Sequence, residues 1–130
     1  TGVPVLGHIG LLPQTVKAIG GYRKFGIDRQ EAEDLYTDAI ALEEAGCFAV
    51  VGEMIEEAVA RELTKQILPP LIGIGSGAGC DGQILVSTDI LGYNTRKAPS
   101  FVKTYANLNQ VISRALSQYV EEVRGGKFPS

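Results

Sequence analysis

One stretch decides the fold, and it reads Cys47-Phe48-Ala49-Val50-Val51-Gly52-Glu53. Five consecutive apolar residues without polar alternation are typical of a parallel strand that is buried on both faces. The residues before this run, 28–46, predict a helix, because Asp28 and Glu31 form a capping box and Gly46 ends the helical spacing. The residues after the run, 55–66, predict a second amphipathic helix. A strand between two helices indicates an α/β fold.

The rest of the chain repeats this alternation. Further apolar runs predict strands at residues 3–6, 71–74 and 84–86. Further helices are expected at residues 13–18 and 100–105, and from residue 108 to the glycines at 125 and 126. Parallel strands need crossover connections, which the predicted helices supply. The expected fold is therefore a single α/β unit over residues 1–130, with about four parallel strands and flanking helices.

Composition excludes several classes of protein. The chain has 130 residues, 45% of them hydrophobic, and a net charge of −3, which is ordinary for a globular domain. It has no basic block, so we expect no nucleic acid and no membrane surface as partner. It also lacks an apolar run of membrane-spanning length and an initial signal peptide, which makes the cytoplasm the expected compartment. With only two cysteines, which form no C-x-x-C pair, we expect neither a disulfide framework nor a structural zinc site, and a single histidine cannot build a polyhistidine metal site.

Candidate catalytic groups lie where the predicted strands end, because ligands of parallel α/β sheets bind beyond the carboxyl ends of the strands. Glu53 directly follows the buried run, and partial burial there would raise its pKa into the range of a general base. The alternative is that Glu53 caps the next helix or faces water. His8 follows the first predicted strand and is either a substrate-binding or acid–base group, or a structural residue bonded to a backbone carbonyl.

A glycine-rich loop follows the third predicted strand. Residues 73–78 fit the pattern G-x-G-x-x-A, which raises the possibility of a dinucleotide-binding turn. The loop is followed by another predicted strand and not by the helix that such a turn requires, so we expect a plain loop that lets the backbone approach a ligand. Cys80 beyond it has no second histidine to activate it, and we interpret it as structural.

Several short motifs together resemble the ketopantoate hydroxymethyltransferase family. They are residues 3–11, 13–14, 20–22, 41–46, 72–75, 80–83, 89–92, 101–103, 105–106, 119 and 128–129. Each is weak alone, but the combination is specific, stands in the family's order and spans essentially the whole chain. The resemblance is to the C-terminal half of the family only.

The resemblance implies half of a (β/α)8 barrel, the architecture known as a TIM barrel. It also implies transfer of a one-carbon unit from 5,10-methylenetetrahydrofolate to 3-methyl-2-oxobutanoate, which gives 2-dehydropantoate for pantothenate and coenzyme A synthesis. In that family Mg²⁺ chelates the oxo acid and acidifies its C3 proton, and a glutamate removes the proton. The Mg²⁺ ligands are expected in the N-terminal half, so this chain is predicted to carry no metal site.

Matched position by position, Glu53 corresponds to the family's proton-abstracting glutamate and His8 to its histidine near the substrate carboxylate. Ile74, Ile84 and Val86 correspond to apolar residues that line the oxo-acid pocket. Gly52 and residues 54–56 differ from the family's usual pattern, and we expect this difference to loosen the backbone that positions Glu53.

The resemblance further implies a homo-oligomer, with the N-terminal half of the barrel as a necessary partner. An open half-barrel leaves strand edges and apolar surface uncovered, so we expect the isolated chain to be inactive and to associate. Two alternatives of a different class stay open at this point. One is a non-catalytic module that binds a phosphate or nucleotide at residues 73–79, and the other is a purely structural half-barrel.

Overall fold

The structure is a computed structural model that describes residues 2–94 and 98–129. The chain divides into two compact units, Thr1–Ile84 and Leu85–Ser130. The first unit contains a four-stranded parallel sheet whose strands follow one another in sequence order. The strands are β1 (Leu6–Gly10), β2 (Ala49–Glu53), β3 (Leu71–Ile74) and β4 (Gly82–Gln83). This parallel sheet with flanking helices confirms the α/β class and is consistent with half of a TIM barrel.

The helices of the first unit pack against one face of the sheet. They are α1 (Arg29–Glu44) and α2 (Glu57–Gln66). The core between helices and sheet consists of buried apolar side chains, among them Ile9, Leu35, Ala39, Val50, Ala60, Leu63 and Leu71. Because side chains alternate along a strand, the neighbours of Ile9, Val50 and Leu71 point to the other face. That second face carries His8, Val51, Glu53 and Ile74.

Local signals set the ends of α1. The Glu31 N–H donates to the Asp28 carboxylate at 2.8 Å, which confirms the predicted N-terminal cap. The Glu31 carboxylate accepts from the Gly26 N–H and pairs with Arg23 at 2.6 Å, so it ties down the preceding loop. Gly46 has a φ of +81° just beyond the helix, which confirms its role in ending α1.

A loop connects β1 to α1. It begins with a 3₁₀ helix (Pro13–Thr15) and continues through two glycines, Gly20 and Gly21, whose φ angles are +83° and +132°. A Cβ atom added to either glycine would meet nothing within 4 Å. The loop ends at Phe25, whose N–H donates to the Met54 carbonyl and whose carbonyl accepts from the Glu56 N–H. The far end of the loop is therefore fixed beside the residues that follow β2.

The second unit contains α3 (Ser87–Ile90) and α4 (Leu108–Arg124). The turn after α3 accepts backbone hydrogen bonds from the segment that leads into α4, for example from the Leu108 N–H to the Leu91 carbonyl. The Asn107 side chain caps α4 by accepting from the Gln110 N–H. None of the helices in the described part of the chain combines the length and apolar character needed to cross a bilayer.

The expected position of the first strand is wrong. β1 spans Leu6–Gly10, so His8 lies inside the strand and not in a turn after it. Gly7 and Gly10 lie where other groups approach the strand closely. A Cβ at Gly7 would lie 2.7 Å from Leu42 of α1, and a Cβ at Gly10 would collide with the Glu53 carbonyl oxygen. Strand glycines can mark close approach as well as turns, and the sequence alone does not distinguish the two.

Other boundaries also differ. The strand expected at 84–86 is wrong, since β4 ends at Gln83 and Val86 immediately precedes α3. The helix expected at 100–105 is wrong: the Val102 N–H forms one turn with the Pro99 carbonyl, and the Tyr105 N–H then donates to the distant Ile90 carbonyl instead of continuing a helix. The strand expected at 47–51 lies two residues later in the chain. The helix expected at 55–66 begins at Glu57. The helix expected at 13–18 is a 3₁₀ helix followed by turns.

The cap of α1 gives a stability test. Replacing the cap residue, Asp28→Ala, should lower the free energy of unfolding by about 1 kcal/mol, because the Glu31 N–H loses its acceptor. Asp28→Asn keeps an acceptor of the same shape without the charge and should cost clearly less. Urea unfolding followed by circular dichroism measures both, and equal losses for the two variants would contradict the assignment.

Candidate functional site

Glu53 is the last residue of β2, the strand that is hydrogen-bonded to β1 on one side and to β3 on the other. Val50, Val51 and Gly52 before it are buried, so the carboxylate stands at the point where the apolar strand ends. Only 14% of the Glu53 side chain is exposed. The structure therefore places the carboxylate at the carboxyl end of the sheet, mostly out of water, as the sequence predicts.

His8 is a titratable partner of this carboxylate. Its Nε2 atom lies 3.3 Å from Oε2 of Glu53 and 3.1 Å from the carbonyl oxygen of Leu11. A carbonyl oxygen can only accept, so the Nε2 atom that faces it carries a hydrogen. The contact with a backbone carbonyl agrees with the structural interpretation of His8, and its substrate-binding or acid–base role stays a prediction.

Burial raises the pKa of the Glu53 carboxyl above its ordinary value. The charge of His8 and its hydrogen bond act in the opposite direction and hold the pKa of Glu53 lower than burial alone would leave it. A carboxylate with a raised pKa is a stronger base once it is ionised. Perturbed carboxyl groups of this kind are common at functional sites, although ion pairs with only structural roles also perturb pKa values.

The backbone after Glu53 turns sharply. Met54 adopts a φ of +53°, a left-handed conformation that costs a non-glycine residue about 1 kcal/mol. The turn is held from three directions: the Glu53 carbonyl accepts from the Leu11 N–H, and the Met54 N–H and carbonyl bond to Ile74 and Phe25. Gly10 permits this approach, because a Cβ there would collide with the Glu53 carbonyl oxygen.

Ser76 reaches the same turn from the loop after β3. The side chain is fully buried, and its Oγ atom accepts from the Ile55 N–H at 2.9 Å and donates to the Gly52 carbonyl at 2.7 Å. Sequence reasoning missed this residue, because the loop drew attention for its glycines. The available signal is a lone hydroxyl placed between two glycines directly after a buried strand.

The predicted pocket residues have different positions. Ile74 pairs with Glu53 in the β2–β3 register and lies on the same face of the sheet, half-buried. Ile84 follows β4, donates its N–H to the Gly73 carbonyl and is 45% exposed. Val86 belongs to the second unit and is 52% exposed. His8, Glu53 and Ile74 thus form the part of the predicted site that the sheet register brings together.

The glycine-rich loop leads directly into β4 and not into the N-terminus of a helix. Instead the loop packs against α2, and a Cβ added to Gly77 would lie 2.6 Å from the carboxyl carbon of Glu57. Cys80 beyond the loop is half-buried, and burial together with the charge of Asp81 raises the pKa of its thiol. A protonated thiol is a poor nucleophile, which favours the structural interpretation of Cys80.

The site does not gather the ligands of a metal ion. Within residues 2–94 and 98–129, no three His, Cys, Asp or Glu side chains are grouped so that they could hold one. Glu53 and His8 form a pair with one shared contact, which is fewer oxygen ligands than a Mg²⁺ site uses.

Comparison with known proteins identifies the family. The family model described as ketopantoate hydroxymethyltransferase matches residues 1–130. The chain belongs to the ketopantoate hydroxymethyltransferase family. Relatives named 3-methyl-2-oxobutanoate hydroxymethyltransferase are 54% identical in Chlorobium phaeobacteroides, 49% in Halalkalibacterium halodurans and 53% in Cenarchaeum symbiosum.

These matches cover 98–99% of this chain but only 46–49% of the relatives. The chain therefore spans about half the length of the ketopantoate hydroxymethyltransferases that it matches, and the matched part is their C-terminal half. Family membership agrees with the resemblance that the sequence motifs indicate. The roles of individual residues stay predictions, which the geometry of Glu53 and His8 makes testable.

The opposing effects on Glu53 give a first test of the site. Replacing the histidine, His8→Phe, keeps a ring of similar size but removes the charge and the N–H, so the pKa of Glu53 should rise further. Carbon-13 NMR titration of the glutamate carboxyl groups measures this, with Glu53→Gln to assign the signal. Lys24→Gln is the matched control, because Lys24 contacts Glu56 and should leave the pKa of Glu53 unchanged. A lower pKa in His8→Phe would contradict the described contact.

The raised pKa also predicts how stability depends on pH. The folded chain binds the Glu53 proton more tightly than the unfolded chain, so the free energy of unfolding should fall as pH rises from the ordinary carboxyl pKa through the folded one. Glu53→Gln should lose this decrease. Urea unfolding measures the free energy of unfolding of both proteins across this pH range, and subtracting the value for Glu53→Gln from that for the unchanged chain isolates the contribution of Glu53. If this contribution increases as pH rises, the burial of the ionised carboxylate is refuted.

Proposed function

We propose that this chain supplies the proton-abstracting carboxylate for hydroxymethyl transfer to 3-methyl-2-oxobutanoate, and that Glu53 is that base. The observation that carries the proposal is a largely buried glutamate at the carboxyl end of a parallel strand, with a raised pKa and one histidine beside it. In the family these positions correspond to the base and to the substrate-binding histidine. The product would be 2-dehydropantoate, a precursor of pantothenate and coenzyme A.

The proposed chemical step begins at C3 of the oxo acid. The C3–H bond breaks, the proton moves to a carboxylate oxygen of Glu53, and the electron pair forms an enolate with the neighbouring carbonyl. The enolate carbon then attacks the folate-borne methylene: the new carbon–carbon bond forms as one carbon–nitrogen bond of 5,10-methylenetetrahydrofolate breaks, and the freed nitrogen takes the proton from Glu53. A water molecule then breaks the second carbon–nitrogen bond, which supplies the hydroxyl oxygen and a proton for the second nitrogen and releases tetrahydrofolate. Partial burial suits Glu53 to this step, because a carboxylate that water solvates poorly is a stronger base.

His8 supports the base in two ways. Its Nε2 atom faces Oε2 of Glu53, which limits the rotation of the carboxylate and leaves Oε1 to meet the substrate. Its contact with the Leu11 carbonyl fixes the ring as well. The positive charge that His8 carries when protonated would also favour the carboxylate of the oxo acid, as the family correspondence implies.

Mg²⁺ and the folate co-substrate belong to the proposal only through the family. Bound Mg²⁺ would acidify the C3 proton. The described residues do not provide a cluster of three ligands for it, so no residue of this chain is assigned to the ion. A cytoplasmic location, a homo-oligomer and an N-terminal half-barrel as partner likewise stay predictions from the sequence.

The geometry favours this function over a phosphate-binding module. The glycine loop leads into β4, and the Glu57 side chain packs against it at Gly77. Because β4 directly follows the loop, no helix N-terminus stands next to it to hold a phosphate. A purely structural half-barrel would not need a buried carboxylate at a strand end, since an ionised group there destabilises the fold.

Deuterium exchange at C3 of 3-methyl-2-oxobutanoate tests the proposal. The chain should be fused to the N-terminal half of the Chlorobium phaeobacteroides relative, and exchange followed by proton NMR in D₂O with Mg²⁺. We expect exchange by the fusion and not by the chain alone. Glu53→Gln should lower the rate by about 100-fold or more, since the base is lost.

Glu56→Gln is the matched control for this experiment. It removes a carboxylate only three residues away, one that is half-exposed and pairs with Lys24, so exchange should continue at nearly the original rate. The intact relative serves as the positive control. Exchange that persists in Glu53→Gln would refute the role of Glu53, and no exchange by a correctly assembled fusion would refute the proposed function itself.

A further inference from the structure

We propose that Ser76 is a positioning residue for Glu53, whose buried hydroxyl fixes the turn at residues 52–55 and thereby aims the carboxylate. This inference rests on the proposed function of Glu53 as the base. Ser76 lies on a different strand connection from Glu53, and its side chain is fully buried. It therefore acts through the backbone of the turn and not by contact with substrate.

The hydroxyl of Ser76 bonds to the residues on both sides of the Glu53–Met54 pair. It donates to the carbonyl of Gly52, the residue before Glu53, at 2.7 Å. It accepts from the N–H of Ile55, two residues after Glu53, at 2.9 Å. One atom thus joins the two ends of the turn, and the distance between those ends determines the direction in which Glu53 leaves the strand.

The turn needs such support because its conformation is unfavourable. Met54 holds a left-handed φ of +53° without being glycine, and such residues persist only where the surroundings determine the conformation. Ile55 is fully buried, so removal of the Ser76 hydroxyl would leave the Ile55 N–H in the protein interior without this acceptor. The expected response is a change of the turn, which carries Glu53 with it.

The glycines of the loop after β3 allow the Ser76 hydroxyl to reach the turn at residues 52–55. Gly75 and Gly77 on either side of Ser76 have φ angles of +67° and +80°. These left-handed conformations turn the chain inward after β3, and Gly77 leaves room for Glu57 of α2 where a side chain would collide. The same glycines that resemble a nucleotide-binding turn are thus explained by the placement of a serine.

The test compares Ser76→Ala with wild type in two measurements. In the fusion with the N-terminal half, Ser76→Ala should lower the maximal rate of C3 deuterium exchange roughly 10- to 100-fold, with less than about a threefold change in the substrate concentration at half-maximal rate. In the 130-residue chain alone, the NMR-measured pKa of Glu53 should fall toward its ordinary value, because a looser turn lets water reach the carboxylate. The acidic limb of the exchange rate should move to lower pH in parallel.

Two control variants separate positioning from simple loss of stability. Leu63→Ala creates a cavity in the helix-facing core and should lower the unfolding temperature at least as much as Ser76→Ala. Well below that temperature it should keep the exchange rate and the pKa of Glu53. Thr64→Val removes a half-buried hydroxyl that donates to the Ala60 carbonyl within α2, and it should also keep both.

Each outcome decides the inference. An unchanged rate and unchanged pKa in Ser76→Ala would overturn it, and so would equal changes in Leu63→Ala. If Ser76→Ala does not fold, Ser76→Cys keeps a weaker acceptor of similar size and should give a smaller change in the same direction. If the wild-type fusion itself is inactive, the proposed function fails, and the pKa of Glu53 in the chain alone still decides whether Ser76 positions the carboxylate.

Discussion

The central strand β2 is the constraint on which the site depends. It is hydrogen-bonded to β1 and β3 in a fixed parallel register that sets Gly10 and Ile74 beside Glu53. A shift of one residue would turn Glu53 toward the helices and bring Val50 out of the core. The apolar core therefore selects the register, and the register selects which face presents the carboxylate and His8.

The sequence predicts the elements around β2 well, and for clear reasons. The apolar run 47–51 has no competing pattern, and the capping signal at Asp28 and the glycine at 46 are local features with local causes. It predicts the boundaries less well where a distant contact decides them. Gly7 resembles a turn residue until Leu42 of α1 is seen against it, and Tyr105 resembles a helical residue until its N–H is seen to bond to Ile90.

In the candidate site, too, local features can be predicted from sequence and features that depend on distant contacts cannot. Glu53 can be found from sequence because a carboxylate directly after a buried strand is visible in the pattern. The contact of His8 with Glu53 cannot be predicted from sequence, because it depends on the relative register of two strands about 40 residues apart in the chain. The hydrogen bonds of Ser76 are equally hidden, since they join the ends of two different strands.

Burying a carboxylate lowers stability, and the structure offsets this cost only in part through His8.

The open glycine pair in the loop after β1 has a practical consequence. Neither Gly20 nor Gly21 contacts other groups at the position where a side chain would begin, whereas Phe25 anchors the far end of the loop beside Met54. A peptide inserted between the two glycines would therefore leave the strand pairing undisturbed, whereas a side chain in place of either glycine would strain its positive φ angle. The loop leaves the sheet at the carboxyl end of β1, so such an insertion would extend the connection at the end of the sheet where Glu53 stands and would stay outside the core.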